Sequence, residues 1–188
     1  METTKKLFTT DEFVRMDEVG LFLQNPRVEL IEGEIVEMSP IGPRHEACVT
    51  RATRRFVIAF TETALVRVQG SLLLSNWSLP QPDLVVARPR TDDYFNKRLS
   101  ADDTFVVIEV SDTSIAFDRK IKLPLYAKAG IPEVWIEDLQ KNRLLVYRDL
   151  NGGTYSTNLV LSPKDSVSLA AFPDAVFSVS DLLLSDYV

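Results

Sequence analysis

Residues 104–138 read TFVVIEVSDTSIAFDRKIKLPLYAKAGIPEVWIED. The segment opens on an apolar run, Phe105 to Val110, that contains one carboxylate, Glu109. A stretch of helical character follows and carries Lys122. It closes on Val134 to Glu137, a second apolar run rich in β-branched and aromatic residues. Strand, helix, strand is the simplest order such a pattern supports. The near-continuous first run points to a central strand covered on both faces. A carboxylate inside it is costly to bury unless it is paired or binds a metal. Upstream, Gln81-Pro82-Asp83 leads into a further apolar run, Leu84 to Ala87, and sets a second acid at its start. Two acids entering a sheet core, with a lysine on the adjoining helix, form the constellation to be explained.

Working outward, the helix is expected over Phe117 to Ala129, with Gly130 as its cap and Pro132 just beyond. Pro124 inside it either kinks the helix or marks its true start. Arg143 to Arg148 pairs with the Val134 run across Gln140-Lys141-Asn142, and Asn151-Gly152-Gly153 makes another tight turn. The tail from Leu159 to Val188 reads as a strand, a loop and a short final helix at Ser180 to Leu183. Toward the N-terminus, Ala64 to Val68 is a strand, Ser71 to Trp77 is ambiguous, and Arg88 to Asp103 is a polar connecting loop. Residues 8–16 form a short helix capped by Thr9 or Thr10. RVELIEGEIVEM, residues 27–38, is a hairpin turning at Glu32-Gly33. Glu29 and Glu34 alternate there with apolar residues, so a solvated sheet face is the default for both.

A loop with two prolines, Ser39 to Pro43, precedes a helix over Arg44 to Thr61. His45, Cys48, Val49, Ala52, Phe56, Ala59 and Phe60 make its apolar face. Arg44, Arg51 and Arg55 share one flank and admit two readings, a solvated flank or a stripe of phosphate contacts. His45 reads as a packed or capping histidine rather than a ligand.

The chain has 188 residues, 45% apolar and 26% charged, with no repeat, low-complexity segment or linker. One domain spanning 1–188 is expected, large enough for a real core. Cys48 is the lone cysteine, which rules out an internal disulfide and fits a reducing compartment. The N-terminus lacks the apolar run of a signal peptide, and no stretch is long and apolar enough to span a membrane. A cytoplasmic protein is the expectation. The net charge of −6 argues against a broad, non-specific hold on nucleic acid. It leaves room for a local basic groove.

If the two acidic strands are neighbours, Asp83 and Glu109 converge and repel unless a cation lies between them. A hard divalent ion with oxygen ligands, Mg²⁺ or Mn²⁺, resolves that conflict. Such an ion polarises a phosphoryl oxygen and activates water, and a nearby lysine stabilises the growing charge. Each part also has a structural reading. Pro-Asp is a common strand-entry signal, Glu109 could pair with a buried arginine, and Lys122 could be a solvated helix lysine.

The order Pro82-Asp83, then Glu109-Val110-Ser111, resembles the signature of the PD-(D/E)XK nuclease superfamily. More closely, the chain resembles the Uma-type family of restriction-endonuclease-like proteins within it. The strings that carry the likeness are Val28 to Glu34, Pro43-Arg44-His45, Gln81-Pro82-Asp83, Val107 to Ser111, Asp118 through Lys122 to Tyr126, and Gly130 to Trp135. They cover about residues 8–150 in the family's order. The resemblance implies an α/β (α+β) fold with a restriction-endonuclease-like core, a central mixed β-sheet flanked by helices. It implies divalent-metal-dependent cleavage of DNA, with Asp83 and Glu109 as catalytic metal ligands. The signature lysine falls at position 111, where this chain has Ser111; Lys122, four residues before Tyr126, matches the substitute lysine, with Lys120 as fallback. Glu34 and His45 match recurrent positions without assigned roles. A homodimer or higher homo-oligomer is expected, since two sites sever a duplex most simply under two-fold symmetry. The alternatives are a catalytically inactive nuclease-fold module for interaction or DNA binding, and a phosphoesterase acting on RNA or another non-DNA substrate.

Overall fold

The structure is a computed structural model that describes residues 3–24 and 27–184. Helix α1 (Thr10–Glu18) begins at a capping box: Glu12 N–H donates to Thr9 Oγ1, and Thr9 N–H donates to Glu12 Oε2. This satisfies two of the helix's free N–H groups and sets its start. Strands β1 (Val28–Ile31) and β2 (Glu34–Glu37) form the expected hairpin. Its turn places Glu32 at φ 49° and Gly33 at φ 83°, the left-handed conformations that a two-residue hairpin turn demands. Helix α2 (Pro43–Phe60) follows, with proline in its first turn.

Strands β3 (Leu65–Val68), β4 (Leu84–Ala87), β5 (Thr104–Ser111), β6 (Val134–Asp138), β7 (Arg143–Asn151) and β8 (Thr154–Leu161) make one sheet in that spatial order. Only β5 and β6 run parallel among these neighbours. A parallel pair needs a crossover. Here it is α3 (Ile115–Phe117), a π-helical turn (Asp118–Lys122) and α4 (Leu123–Ala129), ended by Gly130 at φ 89°. The fold is therefore a central mixed sheet flanked by helices.

Alternate side chains along the strands feed two cores. Leu84, Val86, Val106, Ile108 and Trp135 meet α2 through Ala52, Phe56 and Phe60. Val85, Val107, Val134, Ile136 and Leu145 meet Tyr126 of α4 on the other face. Val106, Val107 and Ile108 are all fully buried, so the uninterrupted apolar run does mark a strand covered on both sides. Phe56 packs against Trp135 and Phe177; truncating such a buried ring costs about 3–5 kcal/mol.

The tail departs from expectation. A hairpin, β9 (Ser166–Leu169) with β10 (Phe172–Ser178), precedes a 3₁₀ turn at Val179–Asp181 in place of the final helix. Val167, Leu169, Phe177, Val179, Leu182 and Leu183 bury themselves in the α2 core. Packing on a preformed helix, rather than local period, decides their conformation. The last residues of the expected tail, 185–188, lie outside the described ones. Pro124 neither breaks nor visibly ends the crossover; it occupies the first turn of α4, directly after the π turn. A proline in the first turn of a helix lacks only an N–H that would be free there anyway. Among the described residues no helix is long and apolar enough to cross a membrane.

Candidate active site

The antiparallel pairing of Leu84 with Ile108, continued by one residue, sets Asp83 beside Glu109. Asp83 is held from two directions: the Val110 N–H donates to its Oδ2 at 2.8 Å, and His45 Nε2 donates to the same oxygen at 3.1 Å. Its Oδ1 has a long contact of 3.5 Å from Gln69 Nε2. His45, at the first turn of α2, thus orients an acid rather than simply packing. The structure brings Asp83, Glu109 and Lys122 to one cleft of about 500 Å³, which Glu29, His45 and Asp118 also line.

Lys122 is buried, and its ammonium donates to Glu29 Oε1 at 2.9 Å and to Glu109 Oε1 at 3.2 Å. Tyr126, one helical turn on, donates its hydroxyl to the same Glu109 oxygen. Lys122 stands four residues before Tyr126 and shares its face of the crossover, so both reach Glu109, while Lys120 lies on another face and is exposed. The start of the π turn is anchored: Ser111 and Ser114 both donate their hydroxyls to Asp118 Oδ2 at 2.6 Å. Ser111, where the signature has lysine, thus fastens the segment that delivers the substitute.

Electrostatics follow from burial and crowding. Burial pushes the Glu109 carboxyl up to about 8; Lys122 pulls it down, while Asp118, Asp83 and Glu29 push it further up. Burial works against the Lys122 ammonium, yet Glu109, Glu29 and Asp118 outweigh it and hold the pKa above its ordinary value. Lys122 is therefore a fixed cation. Tyr126 is raised well above a free phenol by burial and by the charges of Glu109 and Glu29, so it remains a donor.

Other expectations are corrected. Glu29 is not on a solvated face: all four β1 residues are buried, and Glu29 faces Lys122. Consecutive Leu30 and Ile31 break the alternation, a signal that β1 is covered on both sides. Glu34 is exposed as expected and pairs with Lys5. Glu109 pairs with lysine and tyrosine rather than with an arginine. Arg44 donates to the Leu139 carbonyl, Arg51 to the Leu183 carbonyl and Arg55 to Asp181. These half-exposed arginines tie α2 to the β6–β7 turn and the C-terminal segment.

Among the described residues no group of three or more His, Cys, Asp or Glu side chains is arranged to hold a metal ion. The donors nevertheless suit a hard cation. Asp83 and Glu109 offer oxygen only, and Glu29 Oε2 is buried with no partner among the described residues. A hard divalent ion takes such oxygen ligands and keeps the remainder of its shell as water.

A central mixed sheet flanked by helices, with this acid pair beside its β5 strand, defines a restriction-endonuclease-like fold. Residues 10–180 match the model of the Uma2 family, described as "Putative restriction endonuclease", and the chain belongs to that family. Among solved structures it is similar to a protein from Anabaena variabilis ATCC 29413 described as a "putative nuclease belonging to DUF820". The identity is 19% and the TM-score 0.70, covering 94% of this chain and 98% of that one. A slighter likeness, TM-score 0.44 at 12% identity, covers 75% of this chain and 15% of the type IIG restriction endonuclease BpuSI. No curated protein matches the sequence.

Proposed function

We propose that this chain, acting as one domain, is a divalent-metal-dependent DNA endonuclease that hydrolyses phosphodiester bonds with Mg²⁺ or Mn²⁺. The observation that carries this reading is the meeting of Lys122 with Glu109 in the cleft that also holds Asp83. Asp83 and Glu109 would hold the metal. When bound, the metal supplies Lewis acidity toward a phosphoryl oxygen and lowers the pKa of water. The protein's own residues do the positioning. Val110 N–H and His45 lock one oxygen of Asp83, and the Tyr126 hydroxyl locks one oxygen of Glu109. Lys122 presents a permanent positive charge, which favours a transition state that accumulates negative charge on phosphate.

Nicking of supercoiled plasmid with Mg²⁺, Mn²⁺ or EDTA tests this reading. Cleavage that needs the metal and is lost in Asp83→Ala, Glu109→Ala and Lys122→Ala supports it. Metal-independent cleavage, or none on any DNA form, removes it. Double-strand cutting would call for a homodimer or higher homo-oligomer, and sedimentation showing only monomer at working concentration would overturn that part. The buried lone Cys48 supports a cytoplasmic, reducing setting.

One observation favours a second reading, a catalytically inactive nuclease-fold module that binds DNA or a partner. Lys122 already pairs with both Glu29 and Glu109, so these acids have a counter-cation without a metal. Calorimetry separates the two: tight Mn²⁺ binding that disappears in Asp83→Ala belongs to the enzyme only.

A further inference from the structure

We propose that Glu29 is a positioning residue of this site, the acid that holds the Lys122 ammonium in place so that Glu109 is free for the metal. The inference rests on the nuclease reading above and adds a residue to it.

Three observations carry it. Lys122 lies closer to Glu29 than to Glu109, 2.9 Å against 3.2 Å. The same Glu29 oxygen accepts the Gln81 N–H at 3.0 Å, two residues before Asp83. One carboxylate oxygen therefore joins the crossover that carries Lys122 to the segment that presents Asp83. The other oxygen, Oε2, is buried beside the cleft without a partner among the described residues, so the group is not there merely to complete a local hydrogen-bond set.

The hairpin that carries Glu29 is keyed to the Asp83 segment. Leu30 bridges Leu79, and the Glu32 N–H donates to Ser78 Oγ. Glu29 is thus set by the chain that leads into Asp83.

The chemical need is clear from the geometry. Glu109 Oε1 already accepts from both Tyr126 and Lys122. An ammonium held by Glu109 alone would compete with a divalent cation for that carboxylate. A second, nearer acid takes over the ammonium and keeps its charge beside the cleft.

The test compares Glu29→Gln and Glu29→Asp with the wild-type protein. Glutamine keeps an acceptor for the Gln81 N–H, so the fold is expected to survive, which a thermal melt checks. In metal-free protein, acylation of Lys122 by an amine reagent, normalised to Lys120 in the same digest, should rise about tenfold in Glu29→Gln, as loss of a supporting partner loosens the group it orients. With Mn²⁺ and plasmid DNA, kcat should fall about ten- to a hundredfold with KM unchanged. Glu29→Asp, which keeps the charge, should recover part of that loss.

An unchanged labelling ratio in Glu29→Gln would overturn the proposal. So would a raised KM at constant kcat, which would make Glu29 a DNA contact. Should the wild-type protein cut no DNA, the nuclease reading fails by itself. The labelling ratio on metal-free protein would then still support or overturn the hold of Glu29 on Lys122.

Discussion

The Lys122 ammonium lies 3.2 Å from Glu109 Oε1, joining a π-helical turn to the central strand β5, and both side chains are almost wholly buried. No lysine follows Glu109 on its own strand at position 111. The charge arrives instead from the crossover, four residues before Tyr126, which reaches the same Glu109 oxygen.

Lys122→Met should therefore be costly where Lys120→Met is not. Removing Lys122 leaves Glu29 and Glu109 facing one another without a cation, and breaking such a buried pair costs about 3–5 kcal/mol. The exposed Lys120 should change stability by no more than about 0.5 kcal/mol. Urea unfolding of the metal-free variants reads both values. Equal losses would show that the buried pairing of Lys122 adds nothing beyond an exposed surface charge.

The metal-free protein should lose stability as pH rises from mildly acidic to mildly alkaline. Burial lifts folded Glu109 from 4.5 to about 8, and it lifts Glu137 well above the carboxylate range. Between those limits the folded state keeps protons that the unfolded chain has released. The stabilisation is thus full below about pH 4.5 and is lost as pH climbs through about 8. Glu12 acts in the opposite sense: its hydrogen bonds with Lys6 and Thr9 hold it down at about 2, so its contribution fades only as pH falls below the ordinary carboxylate value. Urea midpoints in EDTA at about pH 5.5 and about pH 8.5 check the sign. A higher midpoint at the alkaline value would contradict it.

Glu137 should be a stability defect rather than a catalytic group. It sits next to the last residue of β6, fully buried, and neither carboxyl oxygen has a partner among the described residues. Burial, reinforced by the charge of Asp83, keeps it protonated. Replacing an unsatisfied buried polar group by an apolar one of like size recovers about 1–3 kcal/mol. Glu137→Met is expected to melt higher than the wild-type protein and to nick plasmid unchanged. A lower melting temperature would reveal a hydrogen-bonding partner such as a buried water.

Cys48 should be inert in the native protein. It is fully buried on the α2 face, and burial pushes its thiol up to about 12. Near neutral pH almost no thiolate exists, and only the thiolate reacts. Ellman's reagent should modify Cys48 only after denaturant is added. Fast native-state reaction would mean that α2 opens locally.

Much of this protein was determined by the sequence acting locally. The β4, β5 and β6 runs, the α2 helix, the Glu32-Gly33 turn and the Gly130 cap all follow from period and turn chemistry among near neighbours, as does the entry of Asp83 and Glu109 into the sheet. The C-terminal hairpin was not legible, because Val167 and Phe177 take their conformation from packing on α2. Glu29 was not legible either, since its acid-and-apolar string fits a solvated strand as well as a buried one. Only the tertiary structure decided that Glu29 faces Lys122, 93 positions away, and that Ser111 fastens Asp118. Local propensities act over a few residues, whereas a buried charge takes its role from whichever distant partner the fold places within hydrogen-bonding reach.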